Sequence, residues 1–586
     1  MWSLGIGVWW STAASLISSL LSKLKARSTY FENQTCTKAT LGELNSAGLL
    51  EKASIITTPT AYSNGFIHSV KPEEALGSEV VINGDFSNGS ANWNIEAAWT
   101  ISNGVANGNG ASGTTQELTQ GGNTTNGKSY LLTYEVKNYV SGTIKTRSPS
   151  TPIRSENGIY KALYVAGGPL TFVGSSFYGS ITNISLKEII DADFTFTRNN
   201  IGTRVNASGN IESVGVDLPR INYLGGSGSW LLEPEATNTA TDSNDFTTGQ
   251  VFVSSGNPNL LNSLTLTANA TTSPDGLINA SKIQIGSTST AINRIRYTSV
   301  VVVSGNINTF SIFVKKGSGV DWFGIFVDGI DASSRVWFDL ENGVLGTSSS
   351  AVVNQGIEDY GNGWYRCSMS FTTSVDTSGI VSLVITDGNG NTSYSGNLTD
   401  HHFIYGLQAE SHATREYGTS YIPTSGSTVT RAADSATDAG SSDLISSTEG
   451  VLYAELKSIS ELVDSPTTIS INNNNTTNRL LIYKVAGNNK LQFQIKNPSD
   501  TVDFISATTN TTFDKVAIKY KSSDYAVWIN GVEVFTDTTT SSVPAGLTRL
   551  DFSEYDSSSP FQGNVKCVAV FKEALTDAEL TCLTTI

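Results

Sequence analysis

The chain has 586 residues and a formal net charge of −16, with only 15% of its residues charged. That length exceeds a single hydrophobic core and predicts about three to four domains. The acidic balance, without any Lys/Arg stripe, excludes nucleic acid as a partner, because phosphate backbones would be repelled.

The first ten residues, MWSLGIGVWW, carry Trp2, Trp9 and Trp10 and no charge. The order is wrong for a secretory signal, since Lys23, Lys25 and Arg27 follow the apolar stretch instead of preceding it. Glycines and serines interrupt the roughly 20 apolar residues that a spanning helix needs. Leu16, Ile17, Leu20, Leu21 and Leu24 fall on one helical stripe. Aromatic plug and helix together read as a docking device, with packing back on its own domain and then membrane contact as the less favoured readings of the same residues. A second short helix is predicted from about Thr40 to Lys52, with Leu41, Leu44 and Leu49 on its apolar side, ended by TTPTAY. Residues 1–75 therefore form a helical docking head.

From 79 to 189, alternating runs such as YLLTYEVKNY and GIYKALYVA are separated by Gly/Asn clusters, the spacing of a β-sandwich. Residues 190–224 alternate well but hold little apolar mass, which predicts an extended hairpin lying along another module or another chain. A larger sandwich is predicted over 225–437 and a third over 438–586. In the third, Val527 and Ile529 share one face, so Trp528 points to the other. Asn530-Gly531 then makes a hairpin turn, and Thr576 with Glu579 makes a capping box for a short last helix. The fold class is all-β: serial β-sandwich, jelly-roll modules behind a short N-terminal α-helical anchoring segment.

No nucleophile elbow, HExxH, P-loop or E-x-D-x-E pattern occurs, so no catalytic residue is assigned and the chain reads as a non-enzyme. Glu358/Asp359 and Asp551/Glu554/Asp556 could supply acids, but neighbouring strand residues face opposite ways, and EDYGNG reads as a loop of solvated acids. His401 and His402 share that geometry and make an implausible metal pair. The Asp387 loop, DGNGNTSYSGN, alternates like a calcium loop but lacks the closing glutamate. No metal and no cofactor is assigned. Of Cys36, Cys367, Cys567 and Cys582, Cys367 reads as a small buried side chain, and the last two lie near enough in sequence to meet. Sugar binding needs aromatic faces with a few polar groups beside them. Trp322, Trp337 and Trp528 qualify by type, while Trp93 and Trp364 read as packing residues.

Several phrases carry a family resemblance. NGDF with the closing ITNISLKE resembles carbohydrate-binding modules of the jelly-roll type. In that family two carboxylates often hold a structural calcium ion; Ser87 and Asn183 stand at those places here, so calcium does not carry over. SWLLEPEATN, TFSIFVKKG, DWFGIFVD, IEDYGNGWYRCSMSF and SYIPTSGSTVTRAAD, with TPTAYSNGFIHSVKPE earlier, resemble modules of bacteriophage fibre and spike proteins. EGVLYAELK through LTDAEL resembles concanavalin-like, laminin-G-like jelly rolls. The resemblance implies a virion protein on the outer surface of a phage particle, made in the host cytoplasm, docked on other virion proteins by its N-terminus and reaching host-surface glycan as a homo-oligomer, expected to be a trimer. A tailspike-like glycan depolymerase and a bacterial surface carbohydrate-binding adhesin are the alternatives.

Overall fold

The computed structural model describes residues 30–31 and 34–585, apart from 73–74, 112–115, 123, 126–128, 148–149, 191, 247–260, 263, 287, 289, 329, 331–332, 375–376, 459–466, 485–489 and 506–512. The docking residues Trp2, Trp9, Trp10, Leu16, Ile17, Leu20, Leu21 and Leu24 lie outside the described residues. The described chain is all-β, with two helices, α1 (Gln34–Ser46) and α2 (Asp577–Thr584). It divides into two compact units, residues 72–191 and the remainder.

The smaller unit is a jelly roll. Two long strands, Ser129–Thr146 and Leu170–Ile190, pair antiparallel along most of their length, and the second also takes the strands Ala75–Glu79, Val105–Asn109 and Gln116–Gln120. Trp93, Trp99, Tyr134, Phe172 and Phe177 fill its core. The NGDF phrase has a physical reason. The Ile184 amide donates to the Gly84 carbonyl at 3.0 Å, and a Cβ on Gly84 would lie 2.0 Å from the Ile184 carbonyl oxygen. Only glycine lets the opening turn meet the closing strand. Ser87 donates to Asp85 and Asn183 to Glu135.

In the larger unit two sandwiches follow one another. The first packs two six-stranded sheets around Phe310, Phe323, Ile325, Phe338 and Phe371. The second packs an eight-stranded sheet against a five-stranded one. The eight-stranded sheet is composite. The strand Ala53–Thr57 pairs with Gly563–Phe571; Ser229–Leu232 joins the same strand at its other end, and Arg220–Asn222 pairs with Ser229–Leu232 as the edge. Residues from the predicted head and from the predicted connector thus complete the sheet of the last module.

The outer face of that sheet carries a second apolar layer, in which Leu41, Leu44 and Leu49 pack with Tyr453, Trp528, Leu580 and Leu583. Helix α1 ends six residues before the expected stop at Lys52. The three leucines of the predicted apolar side are buried all the same, Leu49 just past the helix. The capping box forms, with the Glu579 amide donating to Thr576 Oγ1 and the Thr576 amide donating back. Asn530 and Gly531 both take positive φ, as the hairpin turn requires.

The connector hairpin, Gly202–Val205 with Ile211–Val214, does not wait for a second chain. Val205 and Ile211 pack on Phe313, Trp364, Tyr405 and Tyr421 on the outer face of a sheet of the first sandwich. Phe194, Phe196 and Ile221 enter the core of the second sandwich. A buried charge cluster fixes the junction: Asp434 accepts from Arg198 at 3.1 Å and from Arg220, and Glu233 accepts from Arg220 at 2.7 Å and Arg431 at 2.9 Å.

Candidate functional site

The sheet of the first sandwich that runs Leu261–Asn262, Asn293–Val302, Thr377–Thr386, Trp322–Asp328, Ser334–Asp339, Val344–Ser348 brings two of the three sequence-selected tryptophans together. Along Trp322–Asp328, Phe323, Ile325 and Val327 point into the sandwich. Strict alternation turns Trp322, Phe326 and Asp328 outward. Register then lays out rows across four strands. One row is Arg294, Val384, Gly324, Trp337; the next is Arg296, Ser382, Phe326, Arg335. Trp322 begins the row above, beside Thr386 and Asp339.

The aromatic rings form one floor, in which Phe326 is 1% and Trp337 7% exposed, so that Trp322 alone presents ring surface. Phe326 and Trp337 meet edge to face at 5.0 Å, and Trp322, half-buried, packs with both. Trp322 lies over Gly346, where a Cβ would come within 2.7 Å of the ring. The Asp387 loop braces the floor: Trp337 Nε1 donates to the Asn391 carbonyl at 2.8 Å, and Asn389 accepts from Thr347. Sequence reasoning gave that loop no role here because its contacts lie 42 to 54 positions away.

Three guanidiniums stand on the floor, and sequence reasoning missed them. Arg335 sits 5.2 Å over the Phe326 ring, a cation–π contact. Asp328 takes Arg294 at 3.0 Å and Arg335 at 3.8 Å. Arg296, half-exposed, has no carboxylate partner among the described residues. The Nε atoms of Arg294, Arg296 and Arg335 and the Oγ of Ser382 are buried without a hydrogen-bond partner. Unmade bonds of this kind cost about 1–3 kcal/mol each; the donors within a ligand's reach are the guanidinium ends of Arg296 and Arg335, whose side chains are partly exposed. The only sequence signal was NRIRY beside SRVWF, two strands with cations spaced by two.

The other selected residues lie elsewhere. Trp528 does turn away from Val527 and Ile529, but the face it joins is the layer under α1, where it is 6% exposed; it offers no ring to a ligand. Trp93 and Trp364 are packed in cores. Glu358 and Asp359 lie in the strand Val352–Asp359 and not in a loop, and point to opposite faces as strand neighbours must. His402 is buried, with its Nε2 3.2 Å from the Trp322 carbonyl oxygen, and burial holds its imidazole down to about 4. His401 faces the other way, 2.9 Å from the Thr399 carbonyl. Asp551 is fully buried against Arg549 and Asn472. Glu554 pairs with Arg479 at 2.6 Å, and Asp556 accepts from Ser558 in its own turn. Burial pushes the Cys367 thiol well up. Cys367 and Cys567 are buried and Cys582 is exposed.

Residues 447–581 match the family model of the concanavalin A-like lectin/glucanases superfamily. No curated protein matches the chain. Among solved structures, the chain is similar to the CBM40 of the Ruminococcus gnavus IT-sialidase bound to alpha2,3 sialyllactose, at 20% identity over 24% of this chain and 84% of that one, with a TM-score of 0.21. It is also similar to domain 4 of AbnA, a GH43 extracellular arabinanase from Geobacillus stearothermophilus, in complex with arabinotriose, at 19% identity over 29% and 84%, with a TM-score of 0.22. A third similarity is to the leech intramolecular trans-sialidase, at 19% identity over 24% of each chain, with a TM-score of 0.20.

Proposed function

We propose that this protein binds surface glycan without cleaving it, through the outer face built on Trp322, Phe326 and Trp337. The observation that carries the reading is the half-buried Trp322 ring on one sheet face with Arg294, Arg296 and Arg335. Sugar rings stack on aromatic faces while planar donors take ring oxygens and carboxylates, so the ligand class is an acidic polysaccharide. The lectin family matched by residues 447–581 agrees with glycan recognition. Arg296→Ala tests it, because that side chain has no carboxylate to strand. Binding to an acidic capsular polysaccharide should weaken by about tenfold, or ~1.4 kcal/mol, at unchanged thermal stability. Unaltered binding would refute the assignment. Reducing-sugar release abolished by Glu554→Ala would replace it with the depolymerase reading.

Within that function we place the protein in a phage fibre or spike, docked on capsid or tail proteins through Trp2, Trp9, Trp10 and the stripe Leu16 to Leu24. It would stand on the outer surface of the particle after synthesis in the host cytoplasm. The phrases shared with phage fibre modules support this placement. Homotrimer formation now rests on the apolar N-terminal stretch alone, since the connector is covered within its own chain. Deleting residues 2–12 should leave the sandwiches folded and remove the protein from purified particles. Recovery of the intact protein in the envelope of uninfected bacteria would favour the adhesin reading instead.

A further inference from the structure

Where the connector meets both sandwiches of the larger unit, a cleft opens to solvent. It lies on the opposite sheet of the first sandwich from the aromatic face. Its wall is the edge strand Val352–Asp359 and its neighbour Trp364–Thr372, on which Glu358 and Arg366 are register partners. Lys457 and Asn564 reach it from the second sandwich, and Asn222 from the connector.

The lining is rich in donors. Arg366 is 7% exposed and is held by stacking on Phe313 at 5.5 Å and by donating to Ser311 at 2.9 Å; its Nε is buried without a partner. Asn222 Oδ1 is taken by the Val205 amide and Asn564 Oδ1 by Ser229, which leaves both amide N–H groups as donors. Lys457 is exposed at the mouth. Against these four donors stands one unengaged carboxyl, Glu358. The second acid, Glu233, is already committed to Arg220, Arg431 and Ser420.

We propose that this cleft is a second ligand site, separate from the glycan face, for a small hydroxy acid: a carboxylate bound by Arg366 and Lys457, with hydroxyls between Glu358 and the two asparagine amides. A neutral sugar would leave the cationic side unmatched. Glu358 is exposed at the cleft, where its carboxylate can accept from a hydroxyl. Two carboxylates with free access are absent from the lining, so the site binds and has no general acid–base pair for hydrolysis.

Calorimetric titration of the full-length protein with D-glucuronate, D-glucose and glycine tests the site. Glucuronate should saturate at one site per chain with a Kd on the order of 1 mM, while glucose and glycine should not. Lys457→Ala, at an exposed position, should weaken glucuronate by about tenfold, and Trp337→Ala should leave it unchanged. Absence of saturation, glycine binding as tightly as glucuronate, or loss in Trp337→Ala with Lys457→Ala unaffected would each overturn the proposal. The first two outcomes leave the glycan face standing, and the third moves the binding to it.

Discussion

Asp434→Asn tests whether the buried charge cluster holds the larger unit together. Neither Asp434 nor its partners Arg198 and Arg220 expose any side-chain surface. One Asp434 oxygen accepts from Arg198 at 3.1 Å; the other accepts from Arg220 and from the Glu233 amide at 2.9 Å. The amide keeps the shape and removes the charge, turning an –NH2 toward groups that can only donate. Arg220 retains Glu233. Arg198 retains only the carbonyls of Asn200, Val214 and Gly215. Breaking a buried pair from one side costs about 3–5 kcal/mol, and the surviving carbonyls set the expectation near the lower end, at ~3 kcal/mol. With a urea slope of about 3 kcal/mol/M, the unfolding midpoint should fall by about 1 M. A midpoint within about 0.2 M of the parent would refute the view that the cluster fixes the connector between the sandwiches.

Acid should destabilise the protein in two stages. His402 has its folded pKa lowered to about 4 by burial, so the unfolded chain takes up the proton first and stability falls as pH drops from about 6.5 toward 4, by about 3 kcal/mol in all. Burial alone would raise Glu233, but Arg431, Arg220 and Ser420 outweigh it and hold the carboxyl at about 2. Its stabilisation is complete above about 4.5 and is lost as pH falls toward 2, again by about 3 kcal/mol. Urea midpoints against pH should show both stages, and His402→Gln should abolish the first alone. Leu44→Ala, in the layer beneath α1, should cost about 2–5 kcal/mol; a loss under about 0.5 kcal/mol by chemical denaturation would mean that this helix is not integral to the last sandwich.

Period-two alternation made the all-β class, the sandwich spacing, the Asn530-Gly531 turn and the capping box readable, because each depends on residues within a few positions of one another. Pairing between distant strands left no such trace. The strand Ala53–Thr57 meets Gly563–Phe571 across about five hundred residues, and nothing in ASIIT names its partner. The same gap explains Trp528. Alternation gave its direction correctly, but whether the face it joins is wet or covered depends on leucines at 41, 44 and 49. At the proposed glycan face the aromatics were visible as residue types. The guanidiniums that give them chemistry were not, because Arg294, Arg296 and Arg335 come from two strands that Thr377–Thr386 and Trp322–Asp328 separate in the sheet.

The composite sheet also bears on how a docked protein would face outward. In a simple series of modules, an N-terminal anchor would put the last module farthest from the particle. Here the strand Tyr30–Phe31 pairs with Ala61–Ser63, and the chain between them carries α1 and Ala53–Thr57 onto the last sandwich. An anchor in residues 1–24 would therefore leave the lectin-like module at the base, within a few residues of the point where the described chain begins. Cys582, exposed on α2, reports on this. A gold or fluorescent maleimide on Cys582 should lie close to the particle surface in images of labelled virions, with Cys367 and Cys567 shielded by burial and Cys36 replaced by serine. A label at the distal tip would show either that the anchor is not N-terminal or that the last sandwich does not hold the strand Ala53–Thr57 in the assembled particle.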